Sequence, residues 1–263
     1  MLSKSSRKSS SAAKESPAAE GKFPLFFKHP APLDVRQHSK ASIFPSNDFS
    51  FTTETNSIAI NGIEFVEAAK HYPIIFLQAD IPLPVVVLGL EKNNYFVNAK
   101  GAWKEDTYIP AYVRKYPFVF MDVPEQKTFI LCVDEAASAF APNTVKGALP
   151  LYKDNEPSEL TRNALEFCTA FHNHSVITRR FCEDLKAANI LVPSESNTKL
   201  FNNRKINLGG FQVIDEKKLN ALPDETILDF HKKGWLPLIY FALMSASHWK
   251  KLADMAGSLE PKK

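Results

Sequence analysis

Short apolar runs bounded by turn residues alternate along the chain with longer stretches in which apolar residues recur every three or four positions. The short runs are rich in β-branched and aromatic residues, a composition typical of strands. They predict strands over residues 73–78, 84–91, 117–122, 128–133 and 205–214. We also expect Tyr95–Asn98 to return as the hairpin partner of the second strand, because Asn93-Asn94 is favourable turn chemistry.

The longer stretches predict helices, since their apolar residues fall on one helical face. The main helix is expected over residues 158–188, with Asn189 placed to end it. Shorter helices are expected over residues 62–70, 110–115, 223–233 and 236–254. Asn61 and Glu64 form a capping-box pattern at the start of the first of these.

These elements predict an α+β fold. Its mixed or largely antiparallel sheet comes from about residues 73–133 and 205–214, and it is packed by the 158–188 helix and the C-terminal helices. A single domain is expected over residues 51–256, since the chain is long enough for one large core.

The flanking segments differ in composition from this domain. Residues 1–22 are basic and Ser-rich and are expected to be a disordered tail, as are residues 257–263. Residues 23–50 are rich in Pro and Phe and predict an extended arm across the domain, because proline keeps the residue before it extended.

Composition narrows the function classes. A net charge of +3 does not point to nucleic acid, and nine glycines disfavour a glycine-rich phosphate loop. The three cysteines have no close pair and predict free thiols in a reducing compartment, hence a cytoplasmic protein. The apolar run Trp235–Ala246 is about half the ~20 residues of a membrane span, so no integral membrane segment is expected. The sequence assigns no cofactor.

The strongest candidate site is a group of aromatic and basic residues near the centre of the chain. Such a group can stack on a planar ligand or hold a carboxylate or phosphate. Its members are Trp103, Tyr108, Tyr112, Arg114, Lys115 and Tyr116. In the alternative interpretation, the tyrosines cover a sheet edge and the two cations extend into water.

Asp134 and Glu135 follow the 128–133 strand and are added to the candidate ligand-binding residues. Loops after strands often carry function, so the pair can serve as acid and base, hold a cation or partner Arg114. Capping and solvated charge are the structural alternatives.

Other features are weaker. Cys168 and His172 lie four apart on the predicted long helix but lack a third ligand, so no metal site is predicted. Gly209-Gly210 favours a bulge, with an oxyanion-binding turn as the alternative. The apolar Trp235–Trp249 stretch is interpreted as a core helix, or else as a helix on which a protein partner docks.

Several ordered blocks of the chain resemble the SapC family of bacterial proteins over about residues 28–252. The blocks are His71-Tyr72-Pro73-Ile74-Ile75-Phe76, Val87-Leu88-Gly89-Leu90, Phe96-Val97-Asn98-Ala99-Lys100-Gly101-Ala102-Trp103, Tyr108-Ile109-Pro110-Ala111-Tyr112-Val113-Arg114-Lys115-Tyr116-Pro117-Phe118, Cys132-Val133-Asp134-Glu135, Leu208-Gly209-Gly210-Phe211 and Gly234-Trp235-Leu236-Pro237-Leu238-Ile239-Tyr240.

The resemblance implies an association with bacterial surface layers and a setting beside flavin-dependent tryptophan halogenases and outer-membrane receptors, but it supplies no catalytic residues. Three hypotheses follow. The first is a non-enzymatic binding or accessory protein for a peptide or a small anionic or aromatic ligand. The second is an enzyme acting on a peptide or amino acid with Tyr108, Arg114 and Asp134 or Glu135. The third is a surface-layer or export-associated structural protein.

Overall fold

The computed structural model describes residues 23–123, 128–200 and 203–258. The tail predicted over residues 1–22 lies outside the described residues, as do residues 259–263 of the predicted C-terminal tail. Residues 257 and 258 end the last helix.

The strands of the larger sheet are β3 (Ser57–Ala59), β4 (Ile74–Leu77), β5 (Leu83–Val87), β12 (Leu191–Lys199) and β13 (Lys205–Ile214). These five strands are antiparallel and lie in the order β12-β13-β4-β5-β3. Ile74 pairs with Val86 and Phe76 with Pro84. The valine run of β5 is buried, as its continuous apolar pattern predicts.

A second antiparallel sheet joins β1 (Pro30–Pro32) to the hairpin of β6 (Phe118–Val123) and β7 (Thr128–Asp134). Its strand order is β1-β7-β6. The remaining strands form two small ribbons. They are β2 (Ser42–Ile43), β8 (Phe140–Ala141), β9 (Leu149–Pro150), β10 (Tyr152–Lys153) and β11 (Glu156–Pro157).

The dominant helix is α4 (Glu159–Ala187), which Ser158 caps at its start. The other helices are α1 (Val35–His38), α2 (Phe65–Ala68), α3 (Ala111–Arg114), α5 (Glu216–Asn220), α6 (Asp224–Lys233), α7 (Trp235–Ser245) and α8 (His248–Ser258). Short 3-10 turns occupy Ser50–Thr52 and Gly62–Glu64.

The α+β class, the antiparallel pairing, the long helix and the C-terminal helices are confirmed. Asn189 follows α4 with φ of 54°, the left-handed conformation expected of a helix-ending asparagine. Gly209-Gly210 forms the bulge, because two residues of β13 lie opposite Glu195 alone between the Ser194–Phe211 and Ser196–Leu208 pairs. The predicted strands divide between two sheets, since β7 pairs with β1 from the arm.

Four local predictions were wrong. Residues 95–98 form a turn with a single Val97–Trp103 bridge, because the Asn94 side chain accepts from the Phe96 amide at 2.9 Å. The predicted 236–254 helix is two helices, since the Ala246 and Ser247 amides bond to carbonyls three residues back and end α7 before α8 begins. The arm is not wholly extended, because Asp34 caps α1. Polar β12 was missed because pairing with β13, not its composition, makes it a strand.

The core lies between the larger sheet and the helices. It includes Phe65, Tyr72, Phe76 and Phe181, each with no measurable exposure. Helix α4 packs against β5 of the larger sheet and against β6 of the second sheet. Between these contacts its apolar face is only partly covered: Phe167 and Phe171 remain half-buried. Four cavities of the described residues open along this stretch.

Candidate functional site

Helix α3 and the residues that flank it carry five of the eight predicted site residues, and Glu64 holds the start of the helix. Glu64 is buried; its Oε2 accepts from the Ala111 amide at 2.7 Å and from the Tyr108 hydroxyl at 3.0 Å. Its Oε1 accepts from the Asn61 amide at 2.8 Å, which completes the predicted capping box. One carboxylate therefore fixes the turn before α2 to the start of α3.

Burial raises the pKa of Glu64, while the hydrogen bonds from Asn61, Ala111 and Tyr108 and the nearby charge of Arg114 act in the opposite direction. The sequence indicated Glu64 only as a capping residue. Its contact with Tyr108 spans 44 positions, and no local pattern reports such a pairing.

Arg114 lies at the exposed end of α3 beside Tyr108. Its Nε donates to the Ile109 carbonyl at 3.0 Å, and one terminal nitrogen donates to the Tyr108 hydroxyl at 3.2 Å. Its guanidinium carbon lies 5.7 Å from the Tyr108 ring centre and 5.3 Å from that of Phe167. Within the described parts of the chain Arg114 has no ion-pair partner.

A cavity of about 390 Å³ opens between α3, α4 and the arm. Its walls are mostly aromatic and aliphatic, with Phe44, Phe49, Phe51, Tyr116, Phe118 and Phe167 supplying the rings. The charged residues that line it are Arg114, Lys115 and Asp48. The cavity thus combines an apolar body with an excess of positive charge.

A second cavity of about 240 Å³ lies on the other side of Arg114. It is lined by Glu64, Tyr108 and His174, among others. Arg114 and Phe167 line both cavities. The guanidinium therefore lies between the smaller cavity, which the Glu64 carboxylate lines, and the larger, mainly apolar cavity.

Lys115 points into an aromatic cage instead of into water. Its Nζ lies 4.4 Å from the ring centre of Tyr112 and 5.2 Å from those of Phe27 and Phe171. The residue is 8% exposed. Burial lowers the pKa of Lys115 to about 8.

The half-buried Tyr116 and the buried Asp134 form a hydrogen-bonded pair that anchors the arm. The Tyr116 hydroxyl donates to Asp134 Oδ2 at 3.2 Å, and its ring stacks on Phe51 at 4.3 Å. Asp134 also accepts from the backbone amides of Lys28 at 3.0 Å and His29 at 2.7 Å. Burial, followed by the charge of Asp134, raises the pKa of Tyr116. This contact network is structural.

Glu135 is also committed to the arm. Its oxygens lie 2.9 Å from His29 Nδ1 and 3.1 Å from Nε2 of the buried His38. Neither Glu135 nor Asp134 lines the two cavities that Arg114 borders. The structure does not bring these acids to Arg114; Glu64 occupies that place.

The remaining two candidates face elsewhere. Trp103 is buried, and its Nε1 donates to the Tyr72 hydroxyl at 3.2 Å. Tyr112 donates to the Leu25 carbonyl at 3.1 Å and lines a third cavity of about 300 Å³ beside Phe171. Tyr108, Arg114, Lys115 and Tyr116 are thus the predicted residues that border the Arg114 cavities.

The structure also shows the positions of the weaker sequence features, which are the Cys168–His172 pair and the apolar C-terminal stretch. Cys168 is buried, and the His172 ring lies 4.3 Å from that of Phe129. Among residues 23–123, 128–200 and 203–258, no three His, Cys, Asp or Glu side chains stand together as a metal site would need. Helix α7 buries Trp235, Ile239 and Ala242 while Met244 remains 68% exposed, so it is a core helix with one open face.

The described residues define an α+β protein with a partly aromatic, cationic cavity. No helix in the described parts of the chain has both the length and the apolar character needed to cross a membrane. A family model described as SapC matches residues 33–252, and the chain belongs to the SapC family. A search of curated proteins found no match. A search of solved structures found none either.

Proposed function

We propose that this SapC-family protein is a binding protein for a small ligand with an anionic head group and an apolar or aromatic body. A free amino acid or the C-terminus of a short peptide has this chemistry. The head group binds Arg114, and the body occupies the cavity of about 390 Å³. This volume falls within the ~300–1,000 Å³ range common for ligand pockets.

One observation carries the proposal: Arg114 borders two cavities and forms no ion pair within the described residues. Its hydrogen bonds to Ile109 and Tyr108 and its position over Phe167 fix the guanidinium in one orientation. A fixed fork of donors matches a carboxylate or phosphate, because two parallel hydrogen bonds form without further loss of side-chain freedom.

The cavity walls support an apolar ligand body. Rings from the arm, from α4 and from β6 line the space. Asp48 is the acid among the lining residues, and its Oδ1 accepts from the Ser50 amide at 2.8 Å. This hydrogen bond orients the Asp48 carboxylate within its own turn, so it supports the loop beside the cavity.

The compartment proposed for this function is the cytoplasm. Cys132, Cys168 and Cys182 are all free and buried. Burial raises the pKa of each thiol, to about 11, 11 and 12 respectively. Free thiols are compatible with a reducing compartment.

A thermal-shift screen of amino acids, short peptides and aromatic carboxylates tests the proposal, followed by calorimetry on the hits. A ligand that binds the folded state raises the melting temperature. Arg114→Gln should weaken binding by about 10- to 100-fold, the value of one charged hydrogen-bonded contact. The matched control is Arg180→Gln, which removes an exposed arginine on α4 that lines none of these cavities. Equal affinities for wild type and Arg114→Gln would contradict the proposal.

A further inference from the structure

Lys115 is a buried amine without a carboxylate partner. Among the described residues its Nζ makes no hydrogen bond and no acid forms an ion pair with it. Buried lysines are usually paired, because an isolated ammonium group is costly to bury. The cage of Phe27, Tyr112 and Phe171 compensates only in part, through cation–π attraction.

The groups that face this amine are neutral near pH 8. Tyr112 comes from its own helix, and burial raises the pKa of Tyr112 to about 12. Cys168 faces it from α4, and burial raises the pKa of that thiol to about 11. The arm contributes Phe27, which does not titrate. Asp48 lines the larger cavity and His172 the smaller one, but among the described residues neither forms a hydrogen bond or an ion pair with Lys115.

The Lys115 side chain also borders open space. It lines the cavity of about 390 Å³ with Arg114, and it lines a smaller cavity of about 120 Å³ with Cys168 and Phe171. A desolvated lysine beside a ligand cavity is the arrangement in which amines act as nucleophiles toward carbonyl compounds.

We propose that Lys115 is a nucleophilic amine that forms an imine with small aldehydes or ketones entering the larger cavity. The neutral amine attacks the carbonyl carbon, the C–N bond forms, and the π electron pair moves to oxygen. One proton passes from nitrogen to oxygen to give a carbinolamine. Loss of water then leaves the C=N bond, so the sum is amine plus carbonyl giving imine plus water.

The inference deepens the proposed function because it concerns the same cavity, and it adds a substrate class. A ligand with both a carboxylate and a carbonyl group can engage Arg114 and Lys115 together. The two roles are separable, since a carbonyl compound without a carboxylate needs only Lys115.

Reductive trapping tests the inference. The full chain is incubated at pH 7 with cyanoborohydride and either benzaldehyde or 4-carboxybenzaldehyde, and modified lysines are located by peptide mass spectrometry. Lys115 should react about tenfold or more faster than the exposed Lys232 in the same molecules, because a pKa near 8 leaves about a tenth of the amine neutral at pH 7. Reaction of Lys115 no faster than Lys232 with both aldehydes would overturn the inference.

Two variants complete the design. Lys115→Met should abolish the fast modification and leave the Lys232 rate unchanged. Arg114→Gln should slow the 4-carboxybenzaldehyde reaction about tenfold more than it slows the benzaldehyde reaction. If both aldehydes modify Lys115 equally fast in wild type and Arg114→Gln, the imine chemistry stands and the carboxylate role of Arg114 fails.

Discussion

Glu64 and Tyr108 form a hydrogen bond of 3.0 Å between a buried carboxylate and a half-buried phenol. Burial raises the pKa of Tyr108 to about 12 and also raises the pKa of Glu64. The phenol therefore remains the donor across the physiological range. Through its oxygen it also accepts from Arg114 at 3.2 Å, so the carboxylate and the guanidinium are joined by one hydroxyl.

Glu64→Gln should alter how stability depends on pH. The folded-state pKa of Glu64 lies above its ordinary value of 4.5. Folding therefore favours the neutral acid, a contribution that is full below pH 4.5 and is lost as pH rises through the folded pKa. Because glutamine does not titrate, the wild type should lose stability relative to Glu64→Gln over this range. Urea unfolding from pH 4 to pH 7 measures the difference, and a constant difference would exclude the effect.

Asp134→Asn should detach the arm. The Asp134 side chain accepts from Lys28, His29, Tyr116 and Ala136, and an amide nitrogen facing any of these donors leaves a buried group unsatisfied. We expect the free energy of unfolding to fall by about 2–4 kcal/mol. Hydrogen exchange should accelerate at Lys28 and His29.

The exposed Asp122 on β6 supplies the control for this change. Asp122→Asn should leave both stability and exchange in the arm within about 0.5 kcal/mol of wild type. If the two variants behaved alike, the anchoring role of Asp134 would be refuted.

Lys115→Met should stabilise the protein below pH 8. Since the folded pKa of Lys115 is lowered to about 8 from 10.5, the folded state disfavours the charged amine. That cost is full below pH 8 and disappears as pH rises toward 10.5. We expect Lys115→Met to be about 1–3 kcal/mol more stable at pH 7, with the gap narrowing by pH 9.5. Urea titrations of wild type and Lys115→Met at pH 7 and pH 9.5 measure the difference in their free energies of unfolding. A difference that does not narrow at pH 9.5 would contradict the lowered pKa of Lys115.

Gly89→Ala should be strongly destabilising because a Cβ at Gly89 would lie 2.0 Å from the Asn93 carbonyl oxygen. The backbone of the following turn would have to move, at a cost of about 2 kcal/mol or more. Gly209→Ala is the matched change, since its Cβ would meet no atom nearer than 3.7 Å. Thermal unfolding gives the melting temperatures of Gly89→Ala and Gly209→Ala. Equal melting temperatures would refute the close approach of Gly89 to the Asn93 carbonyl oxygen.

Local patterns predicted much of the fold. The capping box at Asn61 and Glu64, the end of α4 at Asn189 and the bulge at Gly209-Gly210 each depend on a few adjacent residues, so their sequences sufficed. Strand β12 is polar, and its pairing with the neighbouring β13, such as Pro193 with Gln212, makes it a strand. The Ser245 hydroxyl near the end of α7 accepts from the Ile74 amide, 171 positions away. No local pattern contains that information.

In the candidate site, too, the residues that are neighbours in sequence were predicted together, and the contact between distant residues was not. The sequence placed Tyr108, Arg114, Lys115 and Tyr116 together because α3 and its flanks are one short segment. It selected Asp134 and Glu135 as acids for Arg114, but these residues bind the arm. Glu64 replaces them, and only the packing of the Gly62–Glu64 turn against the start of α3 reveals that.

The cage around Lys115 has one wall that can be removed. Phe27 belongs to the arm, whereas Tyr112 and Phe171 belong to helices of the main body. Fraying of the arm end would strip one ring from the amine and admit water and larger molecules. We expect the rate of proteolytic cleavage within residues 27–49 to report whether the cavity of about 390 Å³ is occupied. The arm and α4 both line this cavity, so a bound molecule would hold the arm against α4 and slow the cleavage.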